Sequence, residues 1–338
     1  MTDSVEMYVK AALLFLATFA SYGVLVFRDN SMPIDLLACV VLALALVGIG
    51  FNVQHDGNHG GFSRSKWVNR GAGFTLDLIG ASSYFWKDKH NHNHHVYTNI
   101  PHEDADIDLG WLARLSDDHR WFWFHRYQQF YLWFLYAFVH LRYLYTDGQR
   151  MMFGKKDGLT VKYPAGLDMA GLLLGKAIFF TLAFVIPLMF HRWTAVLGGY
   201  VTVSMVMGII FSVVFQLAHT VDVVEHPSHR DGPQRAEWVV HQIRTTANFA
   251  TRSRFLRVAL GGLNFQREHH LFPKISHVHY PALAKVVKEV CDEYRIEYCE
   301  NPTVIQALRS HYRFVKQMGM KPAFADGGLQ PSANYRPS

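Results

Sequence analysis

Cysteine is scarce in this chain: three in 338 residues, at Cys39, Cys291 and Cys299, scattered and never spaced as CxxC. That argues against a disulfide framework and against a thiolate zinc site. Charge is also thin, at 18%, while half the chain is hydrophobic. The apolar residues are bunched into long runs, which favours one membrane-embedded unit over two soluble domains. No cleavable signal peptide is evident. The first apolar stretch is long, follows an acidic start and has no small-residue cleavage site in a convincing place. No internal repeat suggests a transporter with inverted halves. The net charge of +6 sits beside membrane spans, so it reads as a basic cytoplasmic face rather than a nucleic-acid surface. Such a face suits anionic headgroups, an acidic redox partner or a phosphate-bearing substrate.

Histidine is what the chain has in excess, with 20 residues. Three stretches concentrate it. His55-Asp56-Gly57-Asn58-His59 is an HxxxH. His90-Asn91-His92-Asn93-His94-His95 holds four histidines. Gln266-Arg267-Glu268-His269-His270 ends in an adjacent pair. Imidazole nitrogens suit iron, copper and zinc, and a site poor in carboxylates argues against magnesium and calcium.

The apolar runs give four spans, at about 11–28, 34–54, 171–190 and 195–218. The fold class is therefore an all-α integral membrane protein with a helical cap, 55–170 and 219–324, holding the histidines. Residues 1–324 form one domain, and 325–338 read as a disordered tail. The stretch 71–86 is too short and too polar for a span and reads as interfacial or re-entrant. The aromatic run 130–139 reads as a helix at the interface, with a true span the alternative. Residues 146–164 read as a basic connector. The turns at 28–32 and 191–193 carry only Arg28 and Arg192. The positive-inside rule then puts both turns outside, and both termini and all three clusters inside.

His55 and His59 lie one helical turn apart, and such a pair binds one metal or straddles two. Adjacent residues on a helix point about 100° apart. His94 and His95, and likewise His269 and His270, therefore each send one ligand to each of two metals. His219, at the inner end of the fourth span, is an eighth candidate. His92 points away from the His90–His94 face. Asp104, Asp106, Asp108 and Glu268 are candidates to orient the ligands, against the bland reading of a solvated acidic loop. His241 is a further candidate. His226, His229, His277 and His279 are weaker ones. The lone His119, His125, His140 and His311 read as surface or interface residues.

These stretches resemble the three histidine boxes of the membrane fatty acid desaturases, whose pattern is HxxxH, HxxxHH or HxxHH, and H/QxxHH. Order, spacing and four-span layout match over roughly residues 10–290. The third box begins with Gln266, which resembles front-end desaturases and many bacterial acyl desaturases. Gln266 either ligates through its carbonyl oxygen or only hydrogen-bonds. His219 corresponds, by its place at a span end, to the family's extra histidine.

The resemblance implies two iron ions on the cytoplasmic side, held by His55, His59, His90, His94, His95, His219, His269 and His270. It implies O2 as co-substrate and removal of two hydrogens from a fatty acyl-CoA or acyl-lipid chain, leaving a cis double bond. The family's fused haem motif HPGG is not matched by Glu225-His226-Pro227-Ser228-His229. Electrons are therefore expected from a separate ferredoxin or cytochrome b5-type donor with its NAD(P)H reductase. The expected location is a bacterial inner membrane, in contact with its lipids. A lipid hydroxylase or ketolase with the same iron site is the alternative. A metal transporter is the third reading, and it would place ligands inside the spans along a path.

Overall fold

Four helices among the described residues are long and apolar enough to cross a bilayer. The computed structural model describes residues 2–153, 155–156, 159–160, 162–228 and 238–322. The tail at 325–338 and His229 lie outside them. Helix α1 (Val5–Phe27) and helix α2 (Met32–Ile49) form a hairpin, with Pro33 in the first turn of α2. The helix does not stop where hydropathy falls. One π-turn, Gly50–Gln54, carries it into α3 (His55–His59), giving a continuous 28-residue element. After the cap elements, α9 (Leu167–Phe180), a second π-turn (Thr181–Val185) and α10 (Ile186–Phe190) make the third crossing, and α11 (Trp193–His219) the fourth. At about 1.5 Å per residue, each exceeds the roughly 30 Å hydrocarbon core.

Lipid supplies little hydrophobic drive between helices, so close packing of small residues has to hold them together. Helix α2 shows the device. Ala38, Ala43, Ala45 and Gly48 are buried, while Leu37 and Leu44 face outward. Gly50 lets α11 come close: a Cβ there would fall 2.7 Å from the Phe211 ring. Phe51 then meets Phe211 and Phe215 edge-on at 5.1 and 6.1 Å.

Between the two hairpins lie α4 (Lys66–Ile79), α5 (Ser83–Lys87), a π-helical stretch Asp88–His94 and the short α6 (His95–Tyr97). At 14 residues α4 is too short to cross, which leaves the first two boxes on one side. The aromatic run is also no span. It divides into α7 (Gln128–Tyr136) and α8 (Val139–Phe153). The nine-residue α7 exposes Phe130 and Phe134, as a helix at an interface does. The connector expected over 146–164 is helical as far as Phe153, because residues 142, 146, 147 and 150 share one inward face of α8.

Beyond α11 the chain forms α12 (Trp238–Thr245), α13 (Arg254–Ala259), α14 (Gln266–Leu271), α15 (Tyr280–Tyr294) and α16 (Val304–Gly319). Two-residue strands are few. Among the described residues β1 (Lys155–Lys156) pairs with β2 (Leu159–Thr160), and β3 (Asn248–Phe249) runs parallel to β4 (Glu300–Asn301). The amphipathic α16 buries Phe314, Val315 and Met318 against Leu132 and Tyr136 of α7. His125, His140 and His311 are not surface residues. They are 0%, 4% and 1% exposed. Their ring nitrogens meet the carbonyls of Trp111, Ile79 and Thr220 at 2.9, 2.9 and 2.6 Å. A histidine ring held by a backbone carbonyl in this way packs in the core.

Candidate metal centre

Backbone choices aim the histidines. In the π-turn before the first box, the His55 N–H bonds back to the Gly50 carbonyl, five residues earlier. π-Turns of this kind gather at functional sites because they re-register the helix that follows. Gly57 lets α3 lie backbone to backbone on α4: a Cβ would fall 2.6 Å from Gly73 N and 2.7 Å from Ala72 Cβ. In the second box the wider π-helical turn spans Asp88–His94. It brings His90 and His95, five residues apart, to 3.2 Å between their Nε2 atoms. The third box rides on α14, entered through Gly261 and Gly262 at φ +57° and +69°. Left-handed backbone there suits glycine alone at little cost. The neighbouring Arg267 is buried and donates to the carbonyls of Ile243, Thr246 and Cys299.

Eight histidines meet at this point, all buried: His55, His59, His90, His94, His95, His219, His269 and His270. They fall into two sets. Nitrogens of His55, His59, His90 and His269 lie within 4.8 Å of one another, and so do those of His94, His219 and His270. His95 lies between the sets, its ring 4.8 Å from His59 and stacked at 4.3 Å on His270. The adjacent pair His269 and His270 is split between the two sets. Both sets sit at span ends and on cap helices, not along a path inside the spans.

The donor set fits transition-metal ions. Buried Nε2 atoms of His55, His59, His94, His269 and His270, and Nδ1 atoms of His95 and His219, have no hydrogen-bond partner. An unsatisfied buried polar group costs about 1–3 kcal/mol. Seven at one point make sense where a metal takes their lone pairs. Burial, and then the neighbouring imidazoles, holds the pKa of His90, His95, His269 and His270 well below the usual histidine range. These rings are therefore neutral at pH 7, as ligands must be.

The opposite ring nitrogens are held from behind, the arrangement that orients a ligating imidazole. His94 Nδ1 donates to the Asp104 carboxylate at 3.0 and 3.1 Å. His270 Nδ1 donates to Gln242 Oε1 at 2.7 Å, and His269 Nδ1 meets Tyr280 OH at 3.2 Å. Behind His55 runs a longer chain. Lys10 of α1 donates to His277 Nε2 at 2.6 Å, and His277 Nδ1 donates to Asp56 at 2.8 Å. On this geometry Asp104→Asn lowers metal affinity about 10- to 100-fold. Metal retained during dialysis against a graded chelator measures it, and an unchanged retention curve would remove Asp104 from this role.

The remaining candidates divide. Asp106 comes within 3.5 Å of His94 Nδ1 and pairs with Lys89. Gln266 reaches His219 Nε2 at 3.2 Å, and its Oε1 is buried without a partner. Asp108 is not brought to the centre; its carboxylate accepts from Gly110 N at 2.8 Å. Glu268 points away, accepting from Asn248 and Tyr298 at 2.7 and 3.1 Å. His241 belongs to neither set of histidines. Its neighbour Gln242 makes the contact instead, since one residue on a helix is a turn of about 100°. His92 is turned outward, with 75% of its side chain exposed. His226 stacks on Phe314 at 4.1 Å, outside the centre. Gln242, Tyr280 and the pairing of His277 with Asp56 carry no signal in the sequence, because each depends on a contact between distant segments.

A cavity opens beside the centre. His90 and Trp86 form one wall, with Trp86 stacked on His90 at 4.2 Å. Phe211 and Phe215 of α11 and Leu135 and Val139 of α7 and α8 add apolar surface, and polar side chains of α8 line another part of the cavity.

The family model described as fatty acid desaturase matches residues 32–302. The chain is similar to an sn-1 linoleoyl-lipid 6-desaturase of Arthrospira platensis, 37% identical over 323 residues that cover 95% of this chain and 88% of that protein. A Synechocystis sp. protein of the same name is 38% identical, covering 94% and 89%. An acyl-lipid (8-3)-desaturase of Physcomitrium patens is 33% identical, covering 95% and 68%.

Proposed function

The chain belongs to the fatty acid desaturase family, and from that premise we propose how its residues serve the reaction. It is a membrane oxidoreductase that desaturates acyl chains of lipids; the family and the relatives' names do not support the hydroxylase or ketolase alternative. His55, His59, His90 and His269 hold one iron ion, and His94, His219 and His270 the other. His95 stands between them, and Gln266 completes the second set through its free oxygen. Asp104, Gln242 and Tyr280 fix the rings from behind. The observation that carries this reading is the convergence of eight buried histidines, seven with an unpartnered nitrogen, beside a cavity whose wall includes His90.

A methylene C–H is strong and non-acidic, so a side-chain base does not remove it; two bound irons supply an oxidant derived from O2. Overall, one CH2–CH2 unit, O2, two electrons and two protons become one CH=CH unit and two waters. The electrons come from a separate ferredoxin or cytochrome b5-type donor with its NAD(P)H reductase. The protein's own part is positional. Trp86 and Phe215, both packed on His90, shape the wall along which the acyl chain lies, and the buried histidine shell keeps bulk water out. Both termini and the centre face the cytoplasm, and the membrane is a bacterial inner membrane. The cyanobacterial relatives are named 6-desaturases, and a Dictyostelium discoideum relative a Delta(5) desaturase. The new bond therefore falls near the carboxyl end of the chain, at carbon 5 or 6.

Fatty acid methyl ester analysis by GC–MS tests this. Cells making the protein should contain a new unsaturated acid that cells making His94→Ala lack. A hydroxy acid in its place would overturn the desaturase reading.

A further inference from the structure

Helix α8 turns a polar face inward. Arg142, Thr146, Asp147 and Arg150 recur at helical spacing, and all line the cavity that reaches His90. An inward helix face is apolar unless something polar occupies the space beside it. Two cations nearby already have carboxylate partners: Lys89 pairs with Asp106, and Lys176 with Asp147. The two arginines do not. Among the described residues Arg142 donates only to the Asp108 carbonyl, at 3.3 Å, and Arg150 only to the Phe85 carbonyl, at 3.3 Å. Arg150 Nε is buried with no partner at all. A guanidinium offers five donors in a rigid fork that matches an oxyanion, and here most of that fork is unused.

Their places along the cavity differ. Arg142 lies beside Tyr143, whose ring faces Lys89, the residue next to His90. Arg150 is two turns further on, roughly 12 Å along α8. A bond at carbon 5 or 6 leaves only a few methylenes between the metals and the ester. The head group therefore has to bind close to the histidines, within the same cavity.

Resting on the acyl-lipid reading above, we propose that α8 carries the head-group end of the substrate site. Arg150 takes the oxyanion of an anionic acyl lipid, and Arg142 takes the ester carbonyl between that oxyanion and the histidines. The oxyanion is the phosphate or sulfonate of a lipid head group, or a phosphate of acyl-CoA, and the test separates these carriers.

The full chain, purified in detergent, is offered phosphatidylglycerol and monogalactosyldiacylglycerol with identical linoleoyl chains, and retained lipid is measured by native mass spectrometry. The parent should retain phosphatidylglycerol in about tenfold excess, the worth of one charge-assisted hydrogen-bond pair. Arg150→Gln should erase that preference and Arg150→Lys restore part of it, with melting midpoints unchanged. No preference in the parent, or the same preference in Arg150→Gln, overturns the proposal. Linoleoyl-CoA retained above both lipids, and lost in Arg150→Gln, supports the arginine site with CoA as carrier. Retention needs neither iron nor electrons. A chain that holds phosphatidylglycerol through Arg150 yet forms no alkene when fully supplied therefore sinks the desaturase reading and keeps this one. Arg142→Gln should scatter the bond to neighbouring carbons, a change that loss of packing alone does not produce. A single unchanged bond position would remove Arg142 from the site.

Discussion

On the proposed assignment of two irons, His59→Ala and His270→Ala each lower bound iron to about one per chain, and each abolishes alkene formation. The arithmetic follows from the division of the histidines. His59 belongs to the set with His55, His90 and His269, and His270 to the set with His94 and His219. Loss of one ligand removes one of the three or four imidazoles of that set and loosens its hold on the ion. The other half keeps its own ligands and its own supports, such as Tyr280 behind His269. The proposed reaction draws on both irons, so half occupancy should leave product at background. His92→Ala is the control: that side chain faces outward, and iron and product should match the parent. Iron per chain by plasma emission, with methyl ester analysis in parallel, reads all three variants. Full iron in either His59→Ala or His270→Ala would strike that histidine from the ligand set.

Gly57→Val acts before any metal binds. A Cβ at residue 57 meets the backbone nitrogen of Gly73 at 2.6 Å, and a backbone atom inside a packed helix cannot swing aside. Overpacking of this kind costs about 1–3 kcal/mol where side chains can repack, and here they cannot. Against a net stability of roughly 5–15 kcal/mol, valine should cut the yield of folded, iron-loaded protein severely, and alanine should lower it measurably. Separation of α3 from α4 also moves His55 and His59 out of reach of the second set of boxes. Melting midpoint and iron content of the purified variants check this, and Gly57→Ala indistinguishable from the parent in both would disprove the close contact.

The bilayer and the chemistry are readable in the sequence for different reasons. Long apolar runs report a bilayer directly, so hydropathy alone counts four crossings. It misplaces their ends because helices continue past the apolar limit. Glu6 and Lys10 lie inside α1, and His55 to His59 extend α2 through a π-turn. Histidine spacing read on an ideal helix explains why neighbours such as His269 and His270 diverge. It does not reveal His90 meeting His95, which needs the wider π-helical turn at Asp88–His94. Supporting groups are least legible. Gln242 and Tyr280 look ordinary in sequence and His277 is only a weak candidate there, whereas the more conspicuous Glu268, Asp108 and His241 have no place at the centre. Burial of His125, His140 and His311 is hidden too, because one imidazole satisfied by a carbonyl leaves no pattern.

The link from Lys10 through His277 to Asp56 bears on how the protein is made. Lys10 and His277 stand 267 positions apart in the chain, and the ligands lie between them, from His55 to His270. A ribosome delivers α1 first and His277 long afterwards, so the first helix must wait in the membrane for its clasp. Until residue 277 has emerged, Asp56 lacks the imidazole that holds it, and the third box has only just arrived. Iron loading is thus confined to a nearly finished chain, and a ribosome stalled before that point would leave a membrane-inserted polypeptide with no completed site to fill.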